Sequence, residues 1–118
     1  MPNFIIRRRG RPVPRWLPGT LKRIRRLAAA GHVRFTLKAL RELAALEVEL
    51  DEAEACAILV RLRPSDSEGR LRSEATGEWL YVFKPRLSGE LLYVKLLVRT
   101  HCLIISFHEQ VDDEEEDL

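Results

Sequence analysis

No stretch of this chain approaches the roughly 20 uninterrupted apolar residues that a membrane-spanning helix needs. Nor do Arg7, Arg8 and Arg9 lead into the apolar segment of a secretory signal, because more arginine and proline follow them. Both absences set the expectation of a cytoplasmic protein. Cysteine is scarce. Cys56 and Cys102 sit inside apolar runs, as buried thiols do, and not at the short spacings of a disulfide framework or zinc site. There is no glycine-rich phosphate loop before a helix, no serine-centred elbow and no His-Glu metal helix. His101 and His108 lack a supporting carboxylate cluster. These gaps argue against nucleotide-dependent and metal-dependent chemistry, and the expected cofactor is none.

Acid is nearly missing from the first 45 residues, which hold twelve Lys or Arg against Glu42 alone. The chain then ends in Asp112-Asp113-Glu114-Glu115-Glu116-Asp117. So modest a net charge as +2 therefore hides a strong asymmetry. Such asymmetry points to a polyanionic partner at the basic end and to a tail able to mimic that polyanion. The expected division is a basic, proline-rich leader over 1–19, one globular domain over 20–110 and an acidic tail over 111–118.

Pro2, Pro12, Pro14 and Pro18 oppose helix formation in the leader. Phe4-Ile5-Ile6 could add a strand or dock on a groove, and Trp16-Leu17 is expected to pin the leader to the body. Thr20 is a suitable N-cap and Gly31 a suitable terminator for a first helix, with Leu21, Ile24, Leu27 and Ala28 inward. Thr36 caps a second helix, with Leu37, Leu40, Leu43 and Ala44 inward. Asp51 and Glu54 form a capping box for a third, which buries Ala55, Ile58, Leu59 and Leu62 and closes at Pro64. Arg70 to Ser73 alternate as an edge strand. Three β-rich runs then fill residues 77–110, broken at Ser88-Gly89 and Thr100-His101. Period two places Leu92, Val94, Leu96 and Val98 on one face and Tyr93, Lys95 and Arg99 on the other. Strict alternation puts Leu103, Ile105 and Phe107 opposite Cys102, Ile104, Ser106 and His108. The expected fold class is α+β, with N-terminal helices packed on one face of a C-terminal antiparallel sheet.

The polar residues threaded into these strands suit RNA. RNA cleavage needs no cofactor, since the 2′-hydroxyl beside the scissile phosphate is a built-in nucleophile. Histidine, with an ordinary pKa near ~6.5, suits the proton transfers. Arg and Lys stabilise the phosphate charge, and tyrosine can bond the phosphate or stack on a base. His108, Tyr93, Lys84, Arg86, Lys95, Arg70 and Arg72 make such a set. Each also has an ordinary structural role open to it: a solvated strand end for His108, a sheet aromatic for Tyr93, solvent-facing charges for Lys95 and Arg99.

A further pattern lies in Leu21-Lys22-Arg23-Ile24-Arg25-Arg26-Leu27 and Ala30-Gly31-His32-Val33-Arg34-Phe35-Thr36. It continues in Pro64-Ser65-Asp66, Trp79, Val82-Phe83-Lys84-Pro85-Arg86-Leu87, Leu92-Tyr93-Val94-Lys95 and Leu103-Ile104-Ile105-Ser106-Phe107-His108-Glu109. In this order the segments, over roughly residues 17–110, resemble the MqsR family of toxins from bacterial type II toxin–antitoxin systems. The resemblance implies a RelE-like fold and an mRNA interferase, a ribosome-independent endoribonuclease and so a hydrolase in the broad sense, silenced by a cognate antitoxin. It implies functional positions at Tyr93 and at His108, where the family carries lysine. It also aligns Leu80 with a functional glutamine, and Arg70 or Arg72 near a functional lysine. The expected catalytic residues are thus His108 and Tyr93, and the expected RNA-binding residues Arg70, Arg72, Lys84, Arg86 and Lys95, with no metal ligands. The alternatives are a non-catalytic RNA- or DNA-binding regulator and an inactive relative that serves as a protein partner.

Overall fold

A computed structural model describes residues 12–110. The Phe4-Ile5-Ile6 run, the Arg7–Arg9 run and the acidic tail lie outside the described residues. Three helices precede and cover a six-stranded sheet, the α+β arrangement expected from the sequence.

Helix α1 spans Leu17–Ala29. It starts before Thr20, with Trp16 at the N-cap position and Pro18 in the first turn. Pro18 does not oppose this helix as the leader reading assumed, because the first turn has no use for the missing N–H and favours the fixed φ. Leu17, Leu21, Ile24 and Ala28 form its buried stripe. Gly31, at φ 80°, ends the helix where only glycine turns cheaply. Helix α2, Leu37–Ala44, is capped by the Thr36 side chain, which accepts from the Ala39 N–H. Helix α3, Glu52–Val60, carries the full Asp51/Glu54 capping box. It ends before Pro64, which opens a short 3-10 turn over Pro64–Asp66.

The inward face of α2 differs from the periodic expectation. Leu37 is 62% exposed and Ala44 is also exposed, while Ala39 and Leu43 are buried. This short helix lies along a sheet edge as well as over the core, so a narrow i, i+4 stripe suffices.

The strands are β1 (Val33–Phe35), β2 (Ser67–Arg72), β3 (Trp79–Phe83), β4 (Arg86–Leu87), β5 (Glu90–Val98) and β6 (Cys102–Glu109). Their order is β1-β6-β5-β3-β2, with β4 also paired to β5. The β2-β3-β5-β6 part is antiparallel as expected, and β2 is an edge. The sheet as a whole is mixed, because β1 pairs parallel with β6. The Ser88-Gly89 turn has positive φ at both residues, 51° and 84°, which suits a two-residue hairpin.

The core lies between the helices and one sheet face. Its sheet side is Phe83, Leu92, Val94, Leu96, Cys102, Ile104 and Phe107. Strict alternation along β6 therefore fails. Lys95 pairs with Ser106 but Leu96 pairs with Ile104, so Ile105 is an extra residue without a partner on β5. This bulge lets Cys102 and Ile104 share a face with Phe107 instead of opposing it. Trp16 and Leu17 do dock on the body: Leu17 is 1% exposed and the Trp16 ring lies 5.4 Å from that of Tyr81. Among the described residues no helix is long and apolar enough to cross a membrane.

Candidate active site

The face away from the helices is built by register. Val82 pairs with Lys95 and Arg86 with Leu91, so Leu80, Val82, Lys84 and Arg86 share that face with Leu91, Tyr93 and Lys95. Tyr93 pairs with His108, which adds the end of β6. The facing of β3, ambiguous from its sequence, is settled by the burial of Phe83 on the helix side. The Lys84-Pro85 break is held from both sides. The Lys84 N–H donates to the Asp66 carbonyl at 2.7 Å, and the Leu92 N–H donates to the Pro85 carbonyl at 2.9 Å.

At the centre the rings of Tyr93 and His108 stack, with centroids 5.0 Å apart and planes 12° from parallel. The Lys84 ammonium stands 6.0 Å from the Tyr93 ring centroid. His108 Nδ1 lies 2.9 Å from the Glu109 carbonyl oxygen. A carbonyl only accepts, so Nδ1 carries the proton and Nε2 is the ring nitrogen left to exchange one. Tyr93, Lys84, Lys95 and His108 are all half-buried, which leaves them accessible from one side.

The outer edge of β6 is covered twice. β1 pairs only with Cys102 to Ile104. Beyond that, α2 and the loop after it take over. The Thr36 N–H donates to the Ile104 carbonyl at 3.0 Å. Glu42 Oε1 accepts the Phe107 N–H at 2.8 Å, and Glu109 Oε2 accepts the Glu47 N–H at 3.2 Å. Lys38 Nζ bridges Glu42 Oε2 at 2.8 Å and Ser106 Oγ at 2.9 Å. Burial opposes ionisation of Glu42. The hydrogen bonds from Lys38 and the Phe107 N–H, with the electrostatic pull of Lys38 and of nearby His108, outweigh it and hold the carboxyl below its ordinary value. Lys38 and Glu42 did not stand out in the sequence, where they look like an ordinary i, i+4 surface pair.

Of the residues singled out from the sequence, the fold brings together His108, Tyr93, Lys84, Arg86 and Lys95. It does not bring Arg70 and Arg72 to them. Those two pair with Tyr81 and Trp79, on the helix side of the sheet. There the Arg70 guanidinium lies 3.7 Å from the Trp79 ring centroid and 4.8 Å from that of Trp16, and Arg72 lies 4.0 Å from Trp79. Arg99 is tied up elsewhere, in a two-pronged pair with Glu78 at 2.7 and 2.9 Å. Those bonds, with one involving Thr76, hold the half-buried Glu78 carboxyl at about 2. Cys102 is buried, and that burial pushes its thiol up to about 11, while Cys56 is also raised by burial, so neither is an activated nucleophile. Among the described residues no group of three or more His, Cys, Asp or Glu is arranged to hold a metal ion.

A helical cap over a sheet whose other face gathers a His, a Tyr and several cations is an arrangement suited to holding a polyanion beside a proton-transfer group. Residues 19–109 match the family described as "Motility quorum-sensing regulator, toxin of MqsA", and the chain belongs to that toxin family. It is 34% identical over 91 residues to the mRNA interferase toxin MqsR of Escherichia coli (strain K12), a match covering 76% of this chain and 91% of that protein.

Proposed function

We propose that this toxin is an endoribonuclease that cleaves single-stranded mRNA through attack of the 2′-hydroxyl, without a metal. The observation that carries the reading is the Tyr93–His108 stack, with Nδ1 of His108 held by the Glu109 carbonyl and Lys84, Lys95 and Arg86 on the same face. The similar protein named an mRNA interferase supports the substrate class. His108 Nε2 takes the 2′-hydroxyl proton. The 2′-oxygen bonds to phosphorus, the bond from phosphorus to the 5′-oxygen breaks, and a proton returned through Nε2 completes the leaving hydroxyl. The products are a 2′,3′-cyclic phosphate and a 5′-hydroxyl end. Tyr93 orients the imidazole and bonds the phosphate. Lys84, Lys95 and Arg86 stabilise the charge that builds on the phosphate oxygens. Leu80, half-buried on this face, adds an apolar margin on which a base can rest. Arg70 and Arg72, on the other side of the sheet, are reassigned from phosphate binding to packing.

The test is purified protein on single-stranded RNA with EDTA present. Cleavage to cyclic phosphate ends is expected, and His108→Ala should lower the rate by about 10²- to 10⁴-fold. Full activity in that variant removes the proton-transfer role. Salt-sensitive binding with no cleavage at any pH favours the non-catalytic regulator. A cognate antitoxin is the expected protein partner. Expression without it should arrest growth, and co-expression with a small neighbouring gene should relieve the arrest.

A further inference from the structure

We propose that Glu42 is a positioning residue that fixes His108 on the cleavage face by anchoring the backbone of β6 beside it. The inference rests on the ribonuclease reading for its catalytic half. Its structural half stands on the hydrogen bonds alone.

β6 faces a problem at its outer edge. Its N-terminal half is paired to β1, but that pairing stops at Ile104. The bulge at Ile105 follows immediately, and a bulge loosens the ladder and lets a strand bend. His108 lies just beyond, near the end of the last described strand. An edge in this condition frays, and a catalytic ring displaced by about 1 Å loses on the order of a hundredfold in rate. Two contacts from α2 and the loop after it oppose the fraying. Glu42 Oε1 accepts the Phe107 N–H at 2.8 Å, one residue before His108. The Glu109 carboxylate accepts the Glu47 N–H at 3.2 Å, one residue after it. The Glu109 carbonyl accepts His108 Nδ1–H at 2.9 Å, so the backbone held by these contacts also sets the ring's tautomer. Glu42 is the member that bonds directly to a β6 backbone N–H. Lys38 holds its second oxygen at 2.8 Å and is itself held at Ser106 Oγ, so the carboxylate cannot swing away without also breaking its bond to Lys38. Its negative charge also lies within electrostatic reach of His108.

Three variants separate anchoring from charge. Glu42→Gln keeps an oxygen for the Phe107 N–H and loses the charge. Glu42→Asp keeps the charge but draws the oxygen back by one methylene. Glu42→Ala loses both. Amide exchange at Phe107, followed by NMR, should be about tenfold faster or more in Glu42→Asp and Glu42→Ala, and near wild type in Glu42→Gln. The kcat for RNA cleavage should follow the same order, with a loss of about tenfold or more in Glu42→Asp, recovery to within about threefold in Glu42→Gln, and KM little changed. The reverse order, with Asp active and Gln inactive, overturns anchoring in favour of charge. Unchanged Phe107 exchange in Glu42→Asp overturns it outright. Should the wild-type protein fail to cleave RNA, the ribonuclease reading falls with the catalytic half, while the exchange order still decides whether Glu42 fixes β6.

Discussion

Phe107 and Leu37 are both large apolar residues on elements that touch each other, and the fold gives them opposite fates. Phe107 is 0% exposed, paired with the equally buried Val94 and packed beneath the helices on the face opposite His108. Phe107→Ala removes a ring volume on the order of 100 Å³. At about 24 cal/mol per Å³ of unrelaxed cavity this costs roughly 2.4 kcal/mol. The lost transfer free energy adds about 1.5–3 kcal/mol. The sum of about 4–5 kcal/mol agrees with the usual ~3–5 kcal/mol for such changes. It is a large part of the ~5–15 kcal/mol that holds a domain together. Leu37→Ala, at a site 62% exposed, should stay within about 0.5 kcal/mol. Guanidinium chloride unfolding, read by far-UV circular dichroism with midpoint and slope fitted together, measures both. A Phe107→Ala loss below about 1 kcal/mol, or a Leu37→Ala loss as large as that of Phe107→Ala, would refute the assignment of β6 to the core and α2 to the edge.

Other consequences can be checked separately. The folded Glu42 carboxyl has its pKa below the ordinary 4.5, so its stabilising contribution is present above that value and is lost as pH falls through the lowered one. Unfolding curves between pH 6 and pH 3 should therefore converge for wild type and Glu42→Gln at the acid end. Lys95→Ala should weaken RNA binding and reduce the dependence of log affinity on log salt by about 0.7, the increment for one phosphate contact on a single strand. Arg70→Ala should leave that slope unchanged and cost about 1 kcal/mol of stability through the lost Trp16 and Trp79 contacts. Asp51→Ala removes one arm of the α3 capping box and should cost about 1 kcal/mol, measured by urea unfolding.

What could be read from the sequence was mostly local chemistry. Thr36, Asp51 with Glu54, Gly31 and Ser88-Gly89 each act within a few residues of themselves, so their roles are written where they stand. Period two on β5 put Tyr93 and Lys95 on one face, while the pairing of Tyr93 with His108 is given by the register of β5 with β6. The rest depended on distant partners. β1 is three residues long and pairs parallel with a strand far along the chain, so no local period marks it. The bulge at Ile105 sits in an unbroken apolar run, where nothing shows which residue is extra. Arg70 and Arg72 alternate as a strand on either side of a sheet would, and only the burial of Phe83 and Leu96 decides which face they take. Lys38 and Glu42 became visible once α2 was seen to lie against β6.

β6 follows every other described element in the order of synthesis, yet it lies inside the sheet, between β1 and β5. A ribosome that has made everything before Cys102 has made all three helices and the β2-β3-β5 meander. That chain has no Ile104 or Phe107 to close the core, no partner for β1 and no His108. Domains tend to fold as units during synthesis, and here the unit is incomplete until its late strand arrives. The same segment completes the fold and supplies the His108 of the proposed cleavage face, and a nascent chain stalled before it has neither.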